Sequence, residues 1–193
     1  MKSITVFCGS SIGTEQNFEL KAKLLGQTLA KENINLIYGG AKIGLMGAVA
    51  DAALLEKGKV IGVLPKFLAS KEIAHQGISE LILVESMHER KTKMNDLCDG
   101  FIALPGGFGT LEELFEVLTW SQLGLHKKPI GILNINGFYD DLINLLSQMV
   151  EKEFLKDINK QMLLVSNDID DLIAQMKNYK APKVEKWIHK ETS

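Results

Sequence analysis

The chain alternates short apolar, β-branched runs with longer stretches in which apolar residues recur every three or four positions. The short runs are typical of strands buried on both faces, and the longer stretches are typical of amphipathic helices. The predicted strands span residues 3–9, 34–40, 59–65, 80–86, 99–107, 128–135 and 162–166. The predicted helices span residues 15–33, 44–58, 85–99, 110–124, 139–154 and 168–177.

Strands that alternate with helices in this way predict a mostly parallel sheet with helices on both faces. The fold class is therefore α/β, doubly wound and Rossmann-like. A length of 193 residues without an internal repeat fits one domain, which we place at residues 1–180. Residues 181–193 are predicted to be a charged C-terminal tail.

Composition narrows the class of protein. Hydrophobic residues make up 46% and charged residues 24%, the balance of a globular chain, and the formal net charge is −2. We therefore expect neither a nucleic-acid polymer nor a membrane surface as partner. Because no apolar run is long enough to span a bilayer and the first residues do not resemble a signal peptide, we expect a cytoplasmic protein.

The residues that most often bind metals are spaced too widely for a metal site. Cys8 and Cys98 are far apart, and the four histidines form neither an HxxxH nor an HExxH pattern. We predict no metal and no cofactor.

Three strand-to-helix junctions are rich in glycine, at residues 8–11, 38–47 and 104–110. One such loop would only indicate a tight turn. Three at the carboxyl edge of a parallel sheet, with Ser10, Ser11 and Thr110 as additional donors, favour a nucleotide or sugar-phosphate site. The chain lacks GxxxxGK[ST], and it lacks a clean GxGxxG with an acid after the next strand. A P-loop NTPase and a hydride-transfer enzyme are both disfavoured.

Arg90 interrupts an apolar helical stripe. Met87, Arg90, Met94 and Leu97 follow one another at spacings of three, four and three. Either the Arg90 stem packs at the edge of the stripe while its head reaches solvent, or an inward guanidinium awaits a phosphate or carboxylate. The spacing alone does not decide between them.

Glu113 also has two interpretations. With Thr110 as the N-cap, Thr110-x-x-Glu113 is a capping box, and Glu112 would complement the helix dipole. Alternatively, a carboxylate beside an anion site serves as a base or stabilises a developing cation. The local pattern alone favours the cap.

Several motifs resemble those of one family. "PGGFGTLEE" (105–113) fits PGGxGTxxE, and "MHERK" (87–91) fits MHxRK. Together with "VFCGSS" (6–11) and "YGGAKIGLMG" (38–47), these motifs resemble the LONELY GUY (LOG) family of cytokinin riboside 5′-monophosphate phosphoribohydrolases. The likeness runs in the same order to about Asn178.

The resemblance implies a homodimeric Rossmann-like hydrolase without a cofactor. Its substrate would be a purine nucleoside 5′-monophosphate, of the cytokinin type or AMP, cleaved to free base and ribose 5-phosphate. The family's catalytic pair falls on Arg90 and Glu113. The predicted substrate-binding residues are Ser10, Gly40, Glu72, Met87, Lys91, Gly106, Gly107, Phe108, Gly109, Thr110, Leu111 and Glu112. A lysine decarboxylase label that many relatives carry receives no support from the residues.

With the resemblance, the residues acquire roles. Glu113 would stabilise the oxocarbenium-like sugar, and Arg90 would stabilise the leaving base. Backbone amides between Gly106 and Thr110 would hold the 5′-phosphate. Glu72 would bind either the ribose hydroxyls or the base. The competing prediction is a non-catalytic nucleotide or cofactor carrier on the same fold, which would need the phosphate loop but no carboxylate beside the sugar.

Overall fold

In a computed structural model, the described residues 1–69 and 74–182 form a seven-stranded, all-parallel sheet covered by helices on both faces. The order across the sheet is β4-β3-β2-β1-β5-β6-β7. The strands are β1 (Ser3–Phe7), β2 (Asn35–Tyr38), β3 (Val60–Pro65), β4 (Glu80–Val84), β5 (Gly100–Ala103), β6 (Ile130–Leu133) and β7 (Leu163–Ser166). This confirms the predicted doubly wound α/β fold.

Each predicted helix is present, and most are shorter than the predicted range because their last residues belong to turns. The helices are α1 (Gln16–Lys31), α2 (Gly44–Leu55), α3 (Lys66–Ala69), α4 (Met87–Leu97), α5 (Phe108–Gln122), α6 (Asp140–Glu151), α7 (Asp157–Lys160) and α8 (Ile169–Asn178). The four-residue helices α3 and α7 were not predicted, since one turn is too short to show an apolar period.

The sheet separates two hydrophobic layers. Helices α1, α2 and α8 pack on one face, and α4 and α5 pack on the other. Alternate side chains of a strand face opposite layers, so that Ile4 and Val6 join the first layer while Phe7 joins the second. Every residue of β3 is buried, which explains why the strands appear as continuous apolar runs in the sequence.

Strands β2 to β4 are added on one side of β1, and strands β5 to β7 are added on the other side. The order of the strands therefore changes direction between β1 and β5. In an open parallel sheet this switch point is where ligands bind. The loops that leave the two strands are joined there by a hydrogen bond from Gly9 N to Pro105 O (3.0 Å). The loop before α2 joins them, since Leu45 N donates to Gly9 O at 3.1 Å. The three glycine-rich loops thus meet at one place.

Some residues for which the sequence makes a prediction lie outside the part of the chain that the structure describes. Glu72 and residues 183–193 of the predicted tail lie outside the described residues. None of the helices within residues 1–69 and 74–182 has both the length and the apolar content that a membrane crossing requires.

Candidate active site

A buried ion pair joins α4 to α5 at the switch point. Arg90 Nη1 donates to Glu113 Oε1 at 3.1 Å, and both side chains are 11% exposed. Arg90 Nε also donates to the carbonyl oxygen of Val63 in β3, at 3.1 Å. Of the two interpretations of Arg90, the inward guanidinium is therefore the one found.

The backbone of the β2–α2 loop makes room for the guanidinium. Arg90 Nη2 lies against Gly39, where a Cβ atom would be only 2.2 Å away. The next glycine, Gly40, has φ +78° and turns the chain toward α2. One glycine thus provides space and the other provides the backbone conformation.

The N-terminus of α5 differs from the predicted capping box. The N-cap is Gly107, in an extended conformation, and the helix has no side-chain cap. Thr110 already lies within the helix, and the Glu113 carboxylate accepts a hydrogen bond from Arg90, so of the two interpretations of Glu113 the capping box is not the one found. The helix begins at Phe108, two residues earlier than predicted, and Gly106 packs tightly on Thr110, whose Oγ1 would lie 2.1 Å from a Cβ at Gly106. The first N–H groups of α5 are left for an acceptor other than a side-chain cap, as at an anion site.

Burial has the largest effect on the pKa of the Glu113 carboxyl group. Burial raises the pKa of Glu113, Arg90 and Lys91 lower it, and Glu112 and Glu116 raise it further; the net shift is upward. A carboxylate this poorly solvated gains much from a positive charge that develops next to it.

Cys8 lies next to the pair, at the end of β1. Burial first, and then the charge of Glu113, raise the pKa of its thiol, while Arg90 lowers it; the net shift is upward. The thiol is thus protonated at neutral pH and is a poor nucleophile. Among the residues that the structure describes, no group of three or more His, Cys, Asp or Glu side chains is arranged to hold a metal ion.

A cavity of about 290 Å³ opens over the ion pair, with walls from the three glycine-rich loops and from α4 and α5. A cavity of this size suits one small molecule. Its lining includes the N-terminus of α5, which has no side-chain cap, and the buried Arg90 and Glu113. The cavity therefore offers N–H groups that can bind an anion and a buried pair of charges that can stabilise a developing charge.

Comparison with known proteins identifies the family. A family model described as "Possible lysine decarboxylase" matches residues 46–176. The cytokinin riboside 5′-monophosphate phosphoribohydrolase of Rhodococcoides fascians is 45% identical over 178 residues, covering 92% of this chain and 90% of the relative. The enzyme of that name designated LOG1 in Arabidopsis thaliana is 42% identical over 191 residues, covering 99% of this chain and 89% of the relative. The chain belongs to the LOG family.

Solved structures share the fold beyond the LOG family. The molybdenum cofactor binding protein of Rippkaea orientalis superposes with a TM-score of 0.68 at 23% identity, covering 91% of this chain and 95% of that chain. At this identity the likeness concerns the fold alone.

The cavity brings together most of the site residues predicted for this LOG family chain. Nine of them line it: Ser10, Met87, Arg90, Gly107, Phe108, Gly109, Thr110, Glu112 and Glu113.

The other predicted site residues lie elsewhere. Gly106 lines a neighbouring, mostly apolar cavity of about 320 Å³. Gly40 is buried at the turn before α2, and Leu111 packs against the core beneath α5. The Lys91 ammonium is bonded to Glu112 and Glu116. Glu72 is outside the described residues, so its role stays a prediction.

Sequence reasoning missed three groups that shape this LOG family site. These are Gly39, the thiol of Cys8 and the Val63 carbonyl. In the "YGG" stretch the predicted site residue was Gly40, whereas Gly39 is the glycine that lines the cavity. A backbone carbonyl that accepts from an arginine leaves no signal in a sequence.

Proposed function

We propose that the protein hydrolyses the N-glycosidic bond of a purine nucleoside 5′-monophosphate, with one water consumed and the free base and ribose 5-phosphate released. LOG family membership supports this, because the curated relatives carry the name cytokinin riboside 5′-monophosphate phosphoribohydrolase. The observation that carries the proposal is the buried Arg90–Glu113 pair, which lies in a cavity whose wall is an uncapped helix N-terminus.

Glu113 is assigned to the sugar. Cleavage of an N-glycosidic bond passes through an oxocarbenium-like ribose, as O-glycoside hydrolysis does. A buried carboxylate next to the anomeric carbon stabilises that cation and orients or deprotonates the attacking water. Glu113 must be ionised for this, and Arg90 favours the ionised form.

Arg90 is assigned to the leaving base, on which negative charge builds as the bond breaks. An arginine is a poor proton donor at neutral pH, so its contribution is electrostatic, through hydrogen bonds to the base. Its Nε is held by Val63 O and its Nη1 by Glu113, which fixes the direction of the guanidinium.

The 5′-phosphate is assigned to the N-terminus of α5. The amides of Gly107, Gly109 and Thr110 and the positive end of the helix dipole would hold it, with Ser10 as a further donor. The chain's net charge of −2 does not attract a phosphate, so binding has to rely on these local dipoles.

The experiment that tests the function is incubation with AMP and with N6-isopentenyl-AMP, followed by chromatography. Free adenine or isopentenyladenine together with ribose 5-phosphate is the expected result, and the ratio of the two rates gives the substrate preference. If neither these nor other purine monophosphates release a base, the hydrolase is excluded. Tight binding of a nucleotide without turnover would favour a carrier.

We also propose a homodimer in the cytoplasm, as the family resemblance implies. Phe108 is 95% exposed and Met87 39% exposed, and both line the cavity. Apolar side chains at the mouth of a site are of the kind that a second copy of the chain would cover.

Gly39→Ala is expected to lower kcat for AMP at least tenfold while the protein stays folded. The added methyl group would lie 2.2 Å from Arg90 Nη2, so the guanidinium has to move, and small misplacements of a catalytic group are costly. Steady-state kinetics and thermal unfolding measure both effects. Gly107→Ala controls for the effect of an added methyl group on thermal unfolding alone, since its methyl group meets nothing within 4 Å; its kcat is not compared, because its amide is assigned to the phosphate. Unchanged kcat in Gly39→Ala would mean that the position of Arg90 does not matter.

A further inference from the structure

Next to the Arg90–Glu113 pair lies a second, more exposed set of charges. The Lys91 ammonium donates to Glu112 Oε1 at 2.7 Å and to Glu116 Oε1 at 2.9 Å. Consecutive cations on α4 thus face consecutive acids on α5, and Lys91 reaches a further acid one turn along. We call the contact of Lys91 with Glu112 and Glu116 the Lys91 bridge.

Helix α4 packs on the sheet through Met94 and Leu97 near its C-terminal end, whereas its first turn is exposed. Met94 is the only buried residue of α4, and the backbones of α4 and α5 approach each other closely at few points. Long side chains therefore span the space between the two helices. A bridge to two carboxylates on successive turns resists sliding as well as separation of the helices, which a single ion pair does not.

We propose that Lys91 is a positioning residue: the Lys91 bridge holds the early turns of α5 against α4 and so keeps Glu113 in place against Arg90. This rests on the proposed function, because the pair being positioned is the one assigned to hydrolysis. It replaces the role that the family resemblance implied for Lys91, which was a direct contact with substrate.

The surroundings of Lys91 argue against a phosphate contact. Its side chain is 16% exposed, and two of its three possible hydrogen bonds go to carboxylates. Lys91, Glu112 and Glu116 together carry a charge of −1 when all three are ionised, which repels a phosphate. Lys91 does not line the cavity that Arg90 and Glu113 share. Burial lowers the pKa of Lys91, but the hydrogen bonds to Glu112 and Glu116 and the charges of these two carboxylates together raise it more, so Lys91 stays charged.

The bridge also acts on the charge of Glu113. The charged groups around Glu113 are Arg90 and Lys91 from α4 and Glu112 and Glu116 on α5, and the Cys8 thiol faces it from β1. Lys91 lowers the pKa of Glu113, and Glu116 raises it. Removing Lys91 should therefore raise that pKa, and neutralising Glu116 should lower it.

The test uses Lys91→Met, Lys91→Arg, Glu116→Gln and the double variant Lys91→Met/Glu116→Gln. Lys93→Met, a change of the same kind at an exposed position on α4, is the matched control. Steady-state kinetics on AMP give kcat and KM separately across pH. A ¹³C NMR titration of the Glu113 carboxyl group, assigned with Glu113→Gln, reports its pKa without any turnover.

Lys91→Met is expected to lower kcat about tenfold and to leave KM within about twofold, since positioning rather than binding is lost. Lys91→Arg, which can bridge two carboxylates, should recover most of kcat. Lys91→Met should cost less kcat in the Glu116→Gln background than in wild type, because part of the bridge is already absent there. The Glu113 titration should move up in Lys91→Met and down in Glu116→Gln.

A KM for AMP that rises tenfold or more in Lys91→Met at unchanged kcat would overturn the proposal and make Lys91 a substrate contact. Additive losses in the double variant, or a Glu113 titration that moves in neither single variant, would also overturn it. If the wild-type protein releases no base from AMP, the proposed function is overturned and the kinetic part of this test does not apply. The NMR titration of Glu113 would still test the Lys91 bridge in that case.

Discussion

Glu113→Gln is expected to lower kcat for AMP hydrolysis about 1,000-fold while AMP still binds. Glutamine has nearly the same shape, and its Oε1 can still accept from Arg90 Nη1, so the helix contact survives. What the variant should lose is the negative charge that we propose next to the anomeric carbon, where it would stabilise the oxocarbenium-like sugar. Single-turnover kinetics and calorimetric titration with AMP separate the chemical step from binding.

The pH profile provides a second test of Glu113. Because burial raises its pKa in the folded protein, kcat/KM of wild type should fall as the pH drops through a pKa higher than the ordinary value of a glutamate. An acid that binds its proton more tightly in the folded than in the unfolded state contributes stability at low pH, and this contribution is lost as the pH rises through the folded pKa. At neutral pH the ionised Glu113 is therefore less favourable for folding than its protonated form. Glu113→Gln nevertheless leaves Arg90 buried without a counter-charge, so it should unfold at a lower temperature than wild type.

Glu89→Gln is the matched control for Glu113→Gln. Glu89 is exposed, follows β4 on the first turn of α4, and lies outside the cavity. The Glu89→Gln variant should keep the kcat of wild type and the same acidic limb in the pH profile of kcat/KM. Wild-type turnover by Glu113→Gln would show that Glu113 serves only to pair with Arg90, and a different residue would have to stabilise the sugar.

The fold was predictable because most of its strands and helices correspond to long stretches of regular apolar pattern in the sequence. Strands such as β3 are buried over their whole length, and α1 and α5 run for four turns with an apolar period. Helices α3 and α7 have a single turn each, so the pattern along the chain contains too few positions to reveal them.

The site was less predictable, because it depends on where a helix begins in three dimensions. Thr110 and Glu113 have the spacing of a capping box, and nothing local contradicts that interpretation. Helix α5 begins at Phe108 with Gly107 as its N-cap, so Glu113 is too far into the helix to reach back to the N-cap. Spacing likewise left the direction of Arg90 open, and its contacts with Val63, Glu113 and Gly39, all distant in the chain, fix it.

Lys91 shows a different limit of sequence reasoning. The family motif groups it with Arg90 as a residue at the substrate, and its position in the sequence is compatible with that. The acids that Lys91 contacts lie more than twenty positions away in the chain. Which acids these are depends on how α4 and α5 are placed on the sheet. Adjacent residues of a helix point about 100° apart, so neighbours in a motif can face different surroundings.

Arg90→Met is expected to lower kcat for AMP about 100-fold, because the leaving base loses its charged hydrogen-bond donor. It should also leave Glu113 buried without its partner, which raises the pKa of that carboxyl group still further, since Arg90 is the largest influence that lowers it. The acidic limb of kcat/KM should therefore move to higher pH, in addition to the loss of rate. Steady-state kinetics across pH measure both changes.

The double variant Arg90→Met/Glu113→Gln separates catalysis from folding. Removing one partner of a buried ion pair destabilises a protein, whereas replacing both with neutral groups of similar size often restores stability. The double variant should therefore unfold at a higher temperature than Arg90→Met and yet have no more activity than Glu113→Gln. If activity returned together with the unfolding temperature, Arg90 would be needed only to neutralise Glu113. The leaving base would then depart without assistance from the guanidinium.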